Sequence, residues 1–443
     1  MPKSVRAIVG ILKKEGFEAY PVGGCVRDSL LGEEPKDWDV TTIARPEKVM
    51  GIFEAQRGYK VFPTGLKHGT VTVVHEGEPY EVTTFRTEGT YKDHRRPDAV
   101  EFTSRVEEDL RRRDFTVNAM AYDIYDEYVI DPYGGVSDLE KGLIRCVGNP
   151  STRFDEDALR ILRALRFSSV LGFEIEEDSR KSLVELRETL NLIAVERIKG
   201  EMDKLLLGQK AGQVLRGYHE VFSVFIPEIQ PMVGFDQRNK HHSYELWEHT
   251  VRVVENTPRD LVTRWAALFH DMGKPGCFFM GEDGQGHFHG HNSKSAEIAR
   301  DEMNRLHFDR DTKDRVVKLV KYHDTPLPTE EKYLKRYLNK LGEDDFFRLV
   351  DLIRADNLGQ NPDYRFRQKT YDEIEETVRS ILQQDECFSL KNLMVNGNDM
   401  LTLGFRGPEI GKTLKVLLEE VMDGKVENIK ADLVEEARRI GEK

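Results

Sequence analysis

Two aspartates separated by one residue, Asp37 and Asp39 around Trp38, stand a short turn after the paired glycines Gly23 and Gly24. Side chains at i and i+2 of an extended run leave on the same side, so both carboxylates can face one divalent cation. Magnesium prefers one or two protein carboxylates completed by water and substrate phosphates, which suits nucleotidyl transfer better than a closed structural cage. Gly23 and Gly24 allow a sharp turn and a close approach of the backbone to phosphate. Arg27 follows at the start of a helix, where free amides already favour anions.

Further along come Arg112-Arg113-Asp114-Phe115-Thr116-Val117-Asn118-Ala119 and then Glu156-Asp157-Ala158-Leu159-Arg160, continued by Arg163 and Arg166. Read as one helix, Asp157 and Arg160 are neighbours on a single face. Cytosine and adenine each carry an exocyclic amine beside a ring nitrogen acceptor, whereas uracil and guanine carry a carbonyl there. A carboxylate accepting from the amine and a guanidinium donating to the ring nitrogen would select C and A together.

These three blocks, in this order, resemble those of the class II nucleotidyltransferases, the bacterial CCA-adding enzymes of tRNA and their poly(A) polymerase relatives. The resemblance implies an α+β fold: a small mixed β-sheet nucleotidyltransferase head over 1–148, an all-α neck for base recognition over 149–228, an HD-like body over 229–362, and a helical tail over 363–443 that docks tRNA. It implies Asp37 and Asp39 as ligands of Mg²⁺, with Glu81 a third ligand or a general base. Gly23, Gly24, Arg27, Arg112, Arg113, Asp114, Asn118, Asp157, Arg160, Arg163 and Arg166 would bind the nucleotide, with the choice between Arg112 and Arg113 left open. The segment Thr87 to Val100 resembles the mobile loop of CCA- and A-adding members. The implied partners are tRNA, CTP and ATP, and the implied reaction is addition of CCA with release of pyrophosphate; A-only addition and poly(A) synthesis use nearly the same residues.

A second group, His249, His270-Asp271, His291, His323-Asp324 and Asp356, resembles the HD phosphohydrolase domain, notably through Phe269 to Lys274. Imidazoles mixed with carboxylates suit a transition-metal ion that activates water for phosphoester hydrolysis. Neighbouring residues of a helix diverge by about 100°, so His270 and Asp271 share an ion only near a helix end. A phosphodiesterase or phosphatase is therefore the competing activity, and a non-catalytic RNA-binding protein a third.

The elements that must position these groups follow from periodicity. An amphipathic stretch over Val5 to Glu15 precedes a strand over Glu18 to Val22, and Val71 to His75 pairs with Tyr80 to Arg86 across Glu76-Gly77-Glu78. Ser137 is expected to cap a short helix after the turn at Asp131 to Gly135. Ile193 to Leu207 reads as a single helix, Gly281 to Gly290 as a loop, and the chain after Asn361-Pro362 as a helical tail. The net charge of −13 disfavours general nucleic-acid affinity, so RNA would follow local basic clusters: Lys92 to Arg96, Arg111 to Arg113, the Arg160 series, Lys335 and Arg336, and Arg365, Arg367 and Lys369. No run is apolar enough to span a bilayer and Met1 to Arg6 opens no signal peptide. Four scattered cysteines, Cys25, Cys146, Cys277 and Cys387, read as reduced thiols of a cytoplasmic protein.

Overall fold

The computed structural model describes residues 1–88, 100–384 and 386–442 and divides into two compact units, Met1–Gln230 and Pro231–Lys443. Most of the expected loop, and with it Lys92, His94, Arg95 and Arg96, lies outside the described residues.

Nine of the first unit's strands are β1 (Ala19–Val22), β2 (Asp39–Thr42), β3 (Tyr59–Gly65), β4 (Thr70–His75), β5 (Glu78–Thr84), β6 (Arg86–Glu88), β7 (Val100–Phe102), β8 (Ala121–Asp123) and β9 (Tyr128–Ile130). Seven of them form one sheet in the order β3-β4-β5-β2-β1-β8-β9, while β6 and β7 pair separately. The sheet is mixed: β2 and β5 run parallel, and the other neighbours antiparallel. The helix Lys3–Lys14 lays Val5, Ile8, Val9 and Leu12 against Val40, Val71, Val73 and Val82, all fully or almost fully buried. This i, i+3, i+4, i+7 stripe meeting alternate strand residues makes the head's main core.

The hairpin β4–β5 turns through Glu76 (φ 55°) and Gly77 (φ 89°). Positive φ at both central residues defines the primed turn that matches strand twist. It also fixes register. His75 and Glu78 face each other across the turn, so residue 79 directs its backbone toward β2.

Helices dominate after β9. Pro150–Glu156, Leu159–Leu171 and Val195–Leu206 belong to the first unit. The second unit carries Leu246–Asn256, Leu261–Phe269, His291–Arg305, Arg310–Tyr322 and Glu343–Gly359, then Gln368–Gln383, Pro408–Met422 and Lys430–Gly441. Among the described residues every other sheet has only two strands, including the short hairpin of Phe279–Met280 with Gly286–His287, whose second strand falls inside the expected loop. The four cysteines are unpaired. No helix is long and apolar enough to cross a membrane among the described residues.

Ser137 does not cap its helix. Gly135–Lys141 begins after Gly134 in the left-handed region, and the Asp131 carboxylate accepts from the amides of Gly135 at 2.7 Å and Val136 at 2.9 Å. An acid reaching across the turn satisfies two orphan donors and faces the positive helix end, which a hydroxyl inside the first turn cannot do. Asp131→Ala should therefore cost about 1 kcal/mol of stability, read as a lowered midpoint in chemical denaturation, whereas Ser137→Ala should leave that midpoint near the native value.

Candidate functional site

Asp39 opens β2 and lies beside Glu81 of parallel β5, in register, so both side chains leave the same face of the sheet. Asp37 lies outside the strand. Counting back two positions in that register puts it opposite Pro79, which has no N–H to offer toward β2, and β1 ends at Val22, opposite Asp39. The alternation read from sequence therefore holds for Asp39 alone as a strand residue, with Asp37 exposed in the approach to it. The Asp39 carboxyl is pushed above its ordinary range, first by partial withdrawal from water and then by the charges of Glu81 and Asp37, against the pull of Arg113. Concentrated negative charge of this kind is relieved by a cation.

Gly23 turns the chain into the helix Gly24–Leu30 with φ 81° and ψ −129°, a conformation closed to side-chain-bearing residues. A Cβ here would stand 2.7 Å from Nη1 of Arg113. Arg113 is thereby seated under the glycine turn, within the field of Asp39 and 3.9 Å from Asp109. Its Nε is buried with no protein partner. Arg112 instead gives its Nε to Asp109 at 2.9 Å.

A chain of polar contacts joins the three sequence blocks. Arg27 donates to Asn118 Oδ1 at 2.5 Å, Asn118 donates to Asp114 Oδ1 at 3.4 Å, and Arg163 donates its Nε to Asp114 Oδ2 at 2.7 Å. Burial would raise the Asp114 carboxyl, but Arg163, Arg160 and the Phe115 amide bring it down to about 2. The guanidiniums of Arg27, Arg163 and Arg166 surround the Phe167 ring at 5.2, 5.5 and 4.1 Å from its centroid.

The helix expected over Glu156 to Arg166 is broken. Asp157 is extended (φ −139°, ψ 102°) between Pro150–Glu156 and Leu159–Leu171, and its carboxylate accepts from the Leu159 amide at 3.2 Å. Asp157 and Arg160 are consequently not a face-sharing helical pair: Asp157 is bound by Arg197 at 3.1 Å, and Arg160 by Glu156 at 2.6 Å. Arg166 lies 3.1 Å from buried Glu201.

In the second unit, His270 and Asp271 follow the last turn of Leu261–Phe269, the helix end that adjacent ligands require. Four imidazoles turn Nδ1 to backbone carbonyls: His249 to Gly359, His270 to Ala267, His291 to Phe288 and His323 to Val320, at 2.6 to 3.1 Å. A carbonyl only accepts, so each Nδ1 carries the proton and each Nε2 is left with its lone pair inward. The Nε2 atoms of His249 and His270 are 3.2 Å apart, those of His291 and His323 3.4 Å. Asp271 lies between the pairs, with Oδ2 3.3 and 3.1 Å from the first and Oδ1 3.4 and 3.5 Å from the second. Asp356 joins the first pair, 3.1 Å from His249. Facing lone pairs around a buried carboxylate are a donor set that would hold transition-metal ions. Burial opposes charge on His249, while the adjacent Asp271 and Asp356 carboxylates raise its pKa to about 9.

Residues 19–145 match the Poly A polymerase head domain, 172–232 the probable RNA and SrmB-binding site of polymerase A, and 240–359 the HD domain. A CCA-adding enzyme of Anoxybacillus flavithermus is 33% identical over 435 residues, covering 97% of this chain and 95% of that protein. The chain belongs to the CCA-adding enzyme family. Another member, from Geobacillus thermodenitrificans, is 52% identical over 267 residues, which take in 60% of this chain and 62% of the relative. The crystal structure of the Bacillus stearothermophilus CCA-adding enzyme in complex with CTP superposes with a TM-score of 0.73 at 30% identity, covering 100% of this chain and 98% of that one. The α+β architecture, with a small mixed sheet followed by helices, is as expected.

Within this family member, the structure brings Asp39 beside Glu81, gathers Gly23, Arg27, Arg113, Asp114, Asn118 and Arg163 into one network, and converges His249, His270, Asp271, His291, His323 and Asp356. Asp324 stays apart, 61% exposed and 4.0 Å from His291. Asp37, Asp39 and Glu81 do not form a three-ligand cluster as tight as those two in the HD centre. Sequence reading missed Asp109, Glu156, Phe167, Arg197 and Glu201. Of these, Glu201 carried a signal, as a buried acid within an apolar helical stripe.

The Asp114 carboxyl has a folded pKa below its ordinary 3.8, so the stability it contributes is complete above about pH 4 and is lost as pH falls toward 2, roughly 2 kcal/mol in all. Thermal unfolding from pH 5 to pH 2 should show a shallower acid decline in Asp114→Asn than in the native chain.

Proposed function

We propose that this chain adds CCA to tRNA 3′ ends from CTP and ATP without a nucleic-acid template, in the cytoplasm. The observation that carries the reading is the in-register Asp39 and Glu81 pair, set in front of the Gly23 turn and its seated Arg113, in a chain of this family. A ribose 3′ oxygen attacks the α-phosphorus, the bond to the bridging oxygen breaks, pyrophosphate leaves, and the hydroxyl proton passes to a nearby carboxylate or water. Mg²⁺ held by Asp37 and Asp39 would neutralise phosphate charge and acidify the attacking hydroxyl. Glu81 strengthens the same acidic face as a further ligand or as the base. Arg113, beside the Gly23 turn and within the field of Asp39, is the motif arginine proposed to meet the triphosphate, while Arg112 gives its Nε to Asp109.

Asp157 and Arg160 choose the base in this reading, although the contact between them runs through the backbone, from the Arg160 amide to the Asp157 carbonyl at 2.9 Å. Arg197 and Glu156 hold them separately, which presents a carboxylate and a guanidinium as two fixed points. A guanidinium has five N–H donors, so its bond to Glu156 is compatible with one to a ring nitrogen. The tail at 363–443 would dock tRNA by shape and phosphate contact.

Asp37→Ala and Asp39→Ala should abolish incorporation from both CTP and ATP, assayed on tRNA lacking its terminus. Asp157→Ala should raise UTP incorporation relative to CTP roughly tenfold or more, and unchanged selectivity would remove the base-choice assignment. Sequencing products from tRNA ending before, within and after CC distinguishes CCA addition from A-only addition and from poly(A) synthesis.

The converged histidines favour a second activity, a phosphoesterase acting on 2′,3′-cyclic or terminal phosphates with transition-metal ions. The test is release of product from a cyclic nucleotide with Mn²⁺ or Ni²⁺, expected in the native chain and absent in His291→Ala. Equal turnover by both proteins would assign the hydrolysis elsewhere.

A further inference from the structure

The run Tyr364-Arg365-Phe366-Arg367, whose arginines belong to one of the basic clusters read from the sequence, is tied to the elements that carry the HD ligands. Phe366 is 67% exposed, a large aromatic area left in water. Tyr364 stands 6.5 Å from it and 4.2 Å from the His241 ring, centroid to centroid, giving three aromatic groups in series. The guanidinium of Arg367 lies 5.5 Å over Tyr364, and Arg365 donates to the Leu358 carbonyl at 3.4 Å. Among the described residues neither arginine meets a carboxylate, in a chain whose exposed arginines are commonly paired.

The run is bolted to the ligand-bearing elements. Asn357, next to Asp356, donates to the Tyr364 carbonyl at 3.1 Å, and Gln368 donates to Asn357 at 2.7 Å. The Asn361 amide donates to the His241 carbonyl at 2.9 Å. His242 then brings its ring within 5.2 Å of His249. Arg367 is close enough to act electrostatically on both His241 and Tyr371, and Tyr371 also feels Asp356.

One exposed ring continued by two half-buried ones, and flanked by guanidiniums without carboxylate partners, suits single-stranded nucleic acid: bases stack, and phosphates meet the cations. A protein partner would call for a closed apolar patch with fewer free charges. We propose that Phe366, Tyr364 and His241, with Arg365 and Arg367, bind the last bases of a single-stranded RNA end and present its terminal phosphoester to the HD centre. The presentation step rests on the phosphoesterase reading; the binding step does not.

The full chain in EDTA, titrated into a fluorescein-labelled hexaribonucleotide, reports binding by anisotropy without turnover. Phe366→Ala should weaken it roughly tenfold, and Phe366→Trp should restore it. Arg365→Glu with Arg367→Glu should lower the slope of log affinity against log salt by about 1.4. Native affinity in Phe366→Ala, equal affinity for duplex RNA of the same length, or displacement by an acidic peptide as readily as by RNA would overturn the platform. With Mn²⁺ added, Phe366→Ala should raise KM for adenosine 2′,3′-cyclic phosphate but not for the base-free ribose cyclic phosphate. An equal change in both overturns the presentation step. If the native chain hydrolyses neither, the phosphoesterase reading fails and presentation with it, while anisotropy still decides the platform.

Discussion

A guanidinium withdrawn from water must be matched by a carboxylate, and the first unit is organised around that requirement. Arg163 is matched by Asp114, Arg160 by Glu156, Arg197 by Asp157 and Arg166 by Glu201. Breaking one partner of such a pair leaves the other charge buried and costs several kcal/mol, so each pair fixes geometry more than it adds net stability. Because Asp114 and Asn118 sit between Arg27 on one side and Arg163 on the other, the glycine-turn helix, the motif loop and the long neck helix hold a common arrangement. The groups proposed to meet the phosphates and the base are thereby built on a single framework.

The HD centre solves a different problem with different chemistry. There the charges are concentrated on Asp271, and backbone carbonyls at Nδ1 orient the surrounding imidazoles so that each Nε2 faces that carboxylate. Lys274 adds a positive charge 2.7 Å from Asp271. The first unit spreads compensated charge along a network, whereas the second focuses uncompensated lone pairs on one point.

Local motifs were legible because their meaning is carried by neighbours in sequence. The glycine pair and the hairpin through Gly77 each declare a backbone geometry, whereas the acids around Trp38 suggest a strand that only Asp39 joins, and Glu81 was reached through the family resemblance. The strand β3 was not seen, since its burial hardly alternates and Pro63 interrupts it; β8 and β9 are three residues each, too short for a period. The break at Asp157 had no local sign either. Neither glycine nor proline marks it, and Asp157 is held by Arg197, forty residues downstream. Phe167 looked like one more apolar helix residue, and only the fold shows three cations gathered on its ring. The HD ligands were recognisable by type and spacing, but their division into two pairs sharing Asp271 depends on five separate helices.

Pro79 leaves a lasting asymmetry in the transferase face. Asp39 is stitched into the sheet on both sides, while the missing amide opposite Asp37 ends the stitching one step earlier. The two acids proposed to share an ion therefore differ in stiffness: one is an anvil, the other an arm on a short tether. An arm free of ladder bonds can be re-aimed without unzipping a strand, so an ion shared as proposed would have one fixed ligand and one adjustable one.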